Sequence, residues 1–167
     1  MSLAMGLKLV PVAVPEDDDL TGYSPQFLSS KALLDAYWVQ TEAVLRPVVE
    51  EAMHGEMTTQ DIYDRIISGQ MYCIVIQDGS GELPKVALAI VMEIVVYPRL
   101  TALNITALGG RQLNLLKSRF WGHLCSWAYM NGVRCIQAMV SPAMARVISR
   151  YGFEPVYTVM RLPLTEM

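Results

Sequence analysis

Charged residues are scarce in this chain, and neither sign dominates. Asp, Glu, Lys and Arg make up 17% of the 167 residues and leave a formal charge of −3, whereas hydrophobic residues make up 53%. A composition this apolar excludes an intrinsically disordered chain and predicts a well-filled core. Because the small negative charge gives no general attraction to nucleic acid or anionic membranes, we expect neither as a partner.

The chain also has few residues that could form disulfides or bind a metal. Its three cysteines, Cys73, Cys125 and Cys135, lie in apolar stretches and cannot all pair within one chain. We therefore expect reduced cysteines in a cytoplasmic protein. No metal site is predicted, because no two cysteines have zinc-ligand spacing and the two histidines, His54 and His123, are far apart.

Long hydrophobic runs are absent too. The longest, residues 86–97, contains Glu93 and is too short to span a bilayer. Residues 7–15 lack the charged start and the apolar length of a signal peptide. The length predicts one domain over residues 1–167, with residues 1–6 disordered or derived from expression rather than from the native protein.

Hydrophobic periodicity predicts a mixed order of strands and helices. Strands are expected at residues 7–14, 70–77, 86–97, 100–108, 133–140 and 156–164. Helices are expected from Ser24-Pro25 to a break or kink at Pro47, over residues 57–69, over residues 112–131 and after Ser141-Pro142. The acidic residues 16–19 are expected in a solvated loop. This order predicts an α/β domain with a partly antiparallel sheet.

The last quarter of the chain is the most informative part. Ser141 can cap a short helix, and Pro142 suits its first position. Gly152 suits the residue that leaves the helix with positive φ. Phe153 is then expected to return to the core before the closing strand.

A helix that ends in Gly-Phe before a final strand resembles the close of most Gcn5-related N-acetyltransferases (GNATs). The predicted element order is similar to the GNAT fold from about residue 7 to residue 164, which is nearly the whole chain. The resemblance implies an acyl-CoA N-acyltransferase fold, with a mixed, mostly antiparallel sheet flanked by helices. It also implies acetyl-CoA or another acyl-CoA as co-substrate and a small-molecule or peptide amine as acceptor.

In that family a Gly-rich turn between a strand and a helix binds the CoA pyrophosphate. The candidate here is Leu108, Gly109, Gly110, Arg111 and Gln112, where free helix amides and the Arg111 charge would favour phosphate. The adjacent glycines depart from the family signature Gln/Arg-x-x-Gly-x-Gly/Ala, so an ordinary strand-to-helix turn is the alternative. The strand before the turn, from residue 103, is expected to pair with the pantetheine arm.

The resemblance also shows which catalytic groups are replaced. The family's Asn at the start of the last helix corresponds to Ser141, which can still cap and hydrogen-bond. The Tyr that protonates the CoA thiolate corresponds to Ile148, which cannot donate a proton. Tyr151 lies on a different helical face, and we expect it to pack beside Phe153.

Members of the family often use a Glu on a central strand as general base. Because residues 100–108 contain no acidic residue, the resemblance implies Glu93, on the strand before, as its substitute. The alternative is that the Glu93 carboxylate points to the open face of the sheet. His54 and His123 are the reserve candidates for this role.

Two functions follow from the resemblance. The first is acyl-CoA-dependent N-acetyl transfer, with Glu93 and Ser141 at the catalytic site. The second is a catalytically inactive GNAT-fold structural or interaction protein that self-associates through apolar surface. The turn Tyr97-Pro98-Arg99 and the style of residues 69–110 resemble GNAT-like proteins of bacteriophages, which favours a phage origin and a place in the host cytoplasm or the virion.

Overall fold

A computed structural model of the chain describes residues 22–111 and 120–166. Its strands form one sheet in chain order: β1 (Tyr23–Phe27), β2 (Tyr72–Asp78), β3 (Lys85–Val96), β4 (Thr101–Gly110) and β5 (Cys135–Ala138). The helices are α1 (Lys31–Ala52), α2 (Thr59–Ile67), α3 (Trp121–Met130) and α4 (Pro142–Ile148). Neighbouring strands are antiparallel except β4 and β5, which are parallel. The predicted α/β fold with a mixed, mostly antiparallel sheet is confirmed.

Several predicted features lie outside the described residues. They are residues 1–6, the strand at residues 7–14, the acidic loop at residues 16–19, and residue Gln112 with the first part of the helix predicted over residues 112–131. In the part of the chain that is described, no helix has both the length and the apolarity that crossing a bilayer requires.

Strand β2 shows how the sequence places a core on each face of the sheet. Its side chains alternate, so Cys73 and Val75 pack in the core under α1 and α2, as the pleat of a strand requires. Tyr72, Ile74 and Ile76 point to the opposite core, which α3 covers. The alternation of the sequence predicts this common face for Tyr72, Ile74 and Ile76.

Helix α1 begins later than predicted. Ser24 and Pro25 lie in β1, at the edge of the sheet, where a proline removes no ladder hydrogen bond that the strand needs. The residue before a proline is also biased away from helical conformation. Ser30 is the actual N-cap, and its hydroxyl accepts a hydrogen bond from the Leu33 amide at 3.1 Å. The helix continues through Pro47, so of the predicted break or kink there the break is wrong.

Helix α2 follows its sequence signals closely. Thr58 caps it and accepts from the Asp61 amide, while the Asp61 carboxylate accepts from the Thr58 amide. Gly69 follows the helix with a φ of +77°, the conformation predicted for a terminating glycine.

The C-terminal quarter confirms the predicted helix but not both predicted strands. Ser141 caps α4 through the Met144 amide, and Gly152 has a φ of +93°. The strand predicted at residues 133–140 is shorter, because only β5 pairs with β4, and its residues are exposed or half-buried. The strand predicted at residues 156–164 is wrong, since residues 154–166 form no strand in this structure.

Candidate functional site

Strand β5 is short and covers only the first part of β4. Their parallel pairing runs from Ala102 and Cys135 to Ile105 and Ala138 and then stops, while β4 continues to Gly110. Among the described residues no strand pairs with this side of residues 106–110, which we call the open edge. An open strand edge presents backbone N–H and C=O groups that an extended amide-containing ligand can bind.

A β-bulge marks the start of the open edge. The β3 partner of Ala107 is Val91 and that of Ile105 is Met92, so Thr106 is the extra residue in β4. A bulge bends its strand and increases the local twist. The bend therefore lies where the pairing of β4 with β5 ends.

The N–H groups of β4 point alternately toward β3 and toward the open edge. The Arg111 amide donates to the Ala87 carbonyl at 3.2 Å, on the β3 side. Because successive amides of a strand point to opposite sides, the amides of Gly110 and Leu108 point to the open edge, and that of Gly109 points to β3. Of the predicted phosphate-binding amides, those of Leu108 and Gly110 are thus available, and the Arg111 side chain is exposed.

Close backbone contacts explain why positions 109 and 110 are glycines. Helix α1 lies so close to Gly109 that a Cβ there would meet the Val44 carbonyl oxygen at 2.4 Å. Gly110 has a φ of +133°, and a Cβ would meet the Ala87 carbonyl oxygen at 2.3 Å. Both glycines belong to β4, which therefore extends two residues beyond the predicted strand end at residue 108. Gly109 allows α1 to pack on β4, and Gly110 allows the close approach of β3.

Glu93 lies in a row of polar side chains on the α1 side of the sheet. The pleat places Glu93 on the same face as Val91, which packs in the core under α1. Its neighbour across the strands is Asn104, whose Nδ2 donates to Glu93 Oε1 at 3.3 Å. Asn104 Nδ2 also lies 3.4 Å from Thr106 Oγ1. Glu93 is half-buried and Asn104 is buried.

Strand β5 extends this row. Gln137 is the β5 partner of Asn104, and its Nε2 donates to the Tyr97 hydroxyl at 3.2 Å. We call Glu93, Asn104 and Gln137 the polar row. It crosses three neighbouring strands one residue before the pairing of β4 with β5 ends. Asn104 and Gln137 are not among the predicted site residues, although an Asn in an apolar strand is itself a signal, because a buried polar group needs a partner.

The fold was compared with known proteins. No family model matches the sequence, and no curated protein sequence is significantly similar to it. Several solved acetyltransferase structures match over most of the chain. A Trypanosoma brucei acetyltransferase is 15% identical, with a TM-score of 0.61, covering 85% of this chain and 99% of its own. The chain has the GNAT fold.

Two further structures with this fold were solved with ligands. An aminoglycoside acetyltransferase from an uncultured soil metagenomic sample, in complex with sisomicin, is 11% identical and has a TM-score of 0.62. The match covers 90% of this chain and 100% of that one. A predicted acetyltransferase of Clostridium acetobutylicum, solved with acetyl-CoA, is 11% identical, with a TM-score of 0.59 and coverages of 84% and 96%. At these identities the likeness establishes the fold.

The other predicted catalytic positions lie around α4. The Ser141 Oγ accepts from the Met144 amide at 3.2 Å, which leaves its hydroxyl proton free to donate elsewhere. Ile148 is half-buried and carries no proton donor. Tyr151 and Phe153 pack against Trp121, with ring centroids 6.2 and 5.6 Å away.

The reserve histidines are not in the polar row. His54 is exposed after α1 and has a φ of +45°, a left-handed conformation that His adopts more often than most non-glycine residues. His123 lies on α3, on the opposite side of the sheet from Glu93, since α3 packs on the second core. Glu93 is therefore the predicted base that lies beside the open edge.

Proposed function

We propose that this protein is an acyl-CoA-dependent N-acyltransferase that moves an acetyl group to an amine. The observation that carries the proposal is the position of the polar row beside the open edge of β4. A thioester donor can bind along the open edge of β4, beyond the end of β5, and an amine can reach it from the α1 side. The GNAT fold supports this arrangement.

The open edge suits the donor. Its exposed backbone groups can pair with the amides of a pantetheine arm, as a strand would. The amides of Leu108 and Gly110 and the exposed Arg111 guanidinium lie at the far end of the same edge, where a pyrophosphate would bind. Gln112, the last residue proposed for this site, follows directly in the sequence.

The chemistry is a direct acyl transfer. The amine nitrogen bonds to the thioester carbonyl carbon, the carbon–sulfur bond breaks, and the amine loses one proton. Glu93 accepts that proton, directly or through water, and Asn104 holds its carboxylate in place. A backbone amide of the open edge polarises the carbonyl. Because Ile148 cannot donate, the thiolate takes its proton from solvent or from the Ser141 hydroxyl.

The acceptor is an amine that reaches a carboxylate flanked by amide side chains. Small-molecule amines with hydroxyl groups fit such a row, because Gln137 and Asn104 can donate and accept hydrogen bonds. Since one protein with this fold is an aminoglycoside acetyltransferase bound to sisomicin, aminoglycosides belong in the first acceptor panel, beside polyamines and lysine-containing peptides.

Binding of acetyl-CoA is the first test. We expect a hundredfold excess over Kd to stabilise the protein by about 2.7 kcal/mol and to raise Tm by roughly 5–10 °C. Arg111→Glu should remove most of this shift, because the substitution puts a negative charge beside the phosphates. Arg99→Glu is the matched control, since Arg99 is also exposed but lies at the other end of β4.

Equal shifts for both variants would reject the site at Arg111. No shift in the wild-type protein, with the fold intact, would reject the acyl-CoA proposal. That result would favour the second function, a GNAT-fold interaction protein.

Glu93→Gln tests the base. Loss of a general base typically costs between about 10² and 10⁴ in rate. We expect a fall of at least about 100-fold in kcat, measured as free thiol released with the best acceptor of the panel, with the acetyl-CoA thermal shift unchanged. Glu51→Gln, an exposed carboxylate on α1, is the control. A Glu93→Gln enzyme with wild-type kcat would remove Glu93 from the mechanism.

A further inference from the structure

Thr106 is the extra residue of the β-bulge in β4, and its side chain lies on the α1 face of the sheet. Ile105 and Leu108 both pack in the core that α3 covers, although residues three apart lie on opposite faces of a regular strand. Ala107 packs in the core under α1, and Thr106 Oγ1 contacts the Asn104 side chain on that same face. The bulge therefore places two successive side chains, Thr106 and Ala107, on the α1 face.

The bulge also places Thr106 at the first position of the open edge, because the pairing of β4 with β5 ends one residue earlier, at Ile105. With a pyrophosphate bound near Gly110 and Arg111, a pantetheine arm runs from there along the open edge. Its thioester end then lies beside Thr106, next to the polar row. Bulges are common beside active sites, where they change the direction of a side chain.

The Thr106 hydroxyl has a proton available for a ligand. The amide nitrogen of Asn104 carries two hydrogens, so it can donate both to Glu93 Oε1 at 3.3 Å and to Thr106 Oγ1 at 3.4 Å. Thr106 Oγ1 is the acceptor in that contact, and its own hydrogen has no acceptor among the described residues. Thr106 is half-buried, so a bound molecule that reaches the open edge can accept this hydrogen bond.

We propose that Thr106 is a further catalytic residue of the acyl transfer, and that its hydroxyl donates a hydrogen bond to the thioester carbonyl oxygen. The inference rests on the proposed function, because it requires a thioester at the open edge. When the amine nitrogen bonds to the carbonyl carbon, an electron pair moves to the oxygen, and Thr106 stabilises this oxyanion without losing its proton. The pair returns to the carbon as the carbon–sulfur bond breaks and the thiolate leaves.

The Asn104 amide then holds both polar groups that act on the reacting atoms. One of its hydrogens goes to Glu93, which accepts the proton of the amine, and the other goes to Thr106, which binds the carbonyl oxygen. A backbone amide of the open edge and the Thr106 hydroxyl give the oxyanion two donors. Such donors stabilise a transition state most when they are held in place before the reaction.

Isotope-edited infrared spectroscopy tests the contact without turnover. Acetyl-CoA labelled with carbon-13 at the thioester carbonyl is bound to the protein with no amine present. Because a hydrogen bond to its oxygen weakens the C=O bond, the carbonyl band should lie at lower frequency on the wild type than on Thr106→Val. Valine keeps the β-branched shape and removes the hydroxyl. Thr106→Ser should restore the wild-type frequency.

Thr101→Val is the matched control, since Thr101 is also half-buried in β4 but lies at its other end. Its carbonyl band should stay at the wild-type frequency. The acetyl-CoA thermal shift should be equal in the wild type and all three variants, which shows that each variant is folded and binds the donor.

Turnover should follow the infrared band. We expect kcat of Thr106→Val to fall by about 10- to 100-fold with the best acceptor of the panel, because the backbone amide remains as the second donor. Thr106→Ser should recover most of the lost rate.

A carbonyl band at one frequency in the wild type and Thr106→Val would overturn the role of Thr106, even with a lower kcat. That lower kcat would mean that Thr106 only supports Asn104 and Glu93. A band that Thr106→Ser does not restore would also overturn it, because the hydroxyl would not be the donor. Both results leave acyl-CoA binding intact, whereas a wild type that gives no bound band rejects the proposed function together with this inference.

Discussion

Gly109 is constrained by the packing of α1 on β4. A glycine before a helix suggested a phosphate turn, yet its absent Cβ is explained by the Val44 carbonyl of α1. A side chain there would separate α1 from β4 and disturb the core between them. Substitutions at Gly109 therefore cannot test ligand binding on their own, because they change the packing first.

Gly109→Ala is expected to destabilise the fold by about 3 kcal/mol, since overpacking against backbone cannot be relieved by a rotamer change. Tm should fall by roughly 6–12 °C. Gly122→Ala is the control: Gly122 lies in α3, and a Cβ there would meet nothing within 4 Å. The control should gain up to about 1 kcal/mol from helix propensity. Differential scanning calorimetry gives the Tm of each variant. Equal Tm values for Gly109→Ala and Gly122→Ala would contradict the close contact between Gly109 and Val44.

At the scale of the element, Ser141 combines two roles that must be separated. As the N-cap of α4 it accepts a hydrogen bond from the Met144 amide, and as a proposed catalytic residue it would use its hydroxyl proton. Helix α4 has only seven residues and no buried side chain, so the cap is a large part of its local stability.

Ser141→Ala and Ser141→Asn distinguish the two roles. Asn caps as well as Ser but has no hydroxyl, whereas Ala removes about 1 kcal/mol of capping energy. If Ser141 acts only as a cap, Ala should lower the hydrogen-exchange protection of α4 and reduce kcat, and Asn should restore both. If the hydroxyl takes part in proton transfer, as we propose, Asn should restore protection but leave kcat low.

The strand elements show where local signals suffice and where they do not. β2, β3 and β4 were located within a few residues, because alternation and turn residues flank each of them. Ser24-Pro25 was mistaken for a helix start, since the edge position that accommodates Pro25 depends on β2 beside it. The C-terminal segment, residues 154–166, has strand residues but no strand, because β-structure needs a neighbour to receive its hydrogen bonds.

At the scale of the whole molecule, Cys73 reports on global stability. It lies fully buried in the core under α1 and α2, and burial raises the pKa of its thiol from 9.0 to about 12. In the folded protein the thiol therefore stays protonated, while in the unfolded chain it ionises near pH 9. The unfolded state then binds fewer protons, so stability is unaffected below pH 9 and falls above it.

Cys73→Ala should remove this dependence. We expect the free energy of unfolding of the wild type to fall by about 1.4 kcal/mol per pH unit above pH 9, relative to the variant. Urea unfolding of both proteins at about pH 8 and pH 10.5 gives the difference, in which other groups that titrate in this range cancel. If the free energy of unfolding changes equally with pH in the wild type and in Cys73→Ala, burial does not raise the pKa of the Cys73 thiol.

Features that depend only on neighbours in the chain can be predicted from the sequence. The caps at Thr58 and Ser141, the terminating glycines Gly69 and Gly152 and the alternation of β2 follow from local sterics and hydrogen bonding. With their order, these signals were enough to identify the fold.

The geometry of the candidate site depends on tertiary contacts. The pairing of β5 with only part of β4, the contact of Gly109 with α1 and the approach of Asn104 to Glu93 join residues that are far apart in sequence or are set by strand register. No local pattern encodes such contacts, because they exist only once the sheet has formed and the helices have packed on it.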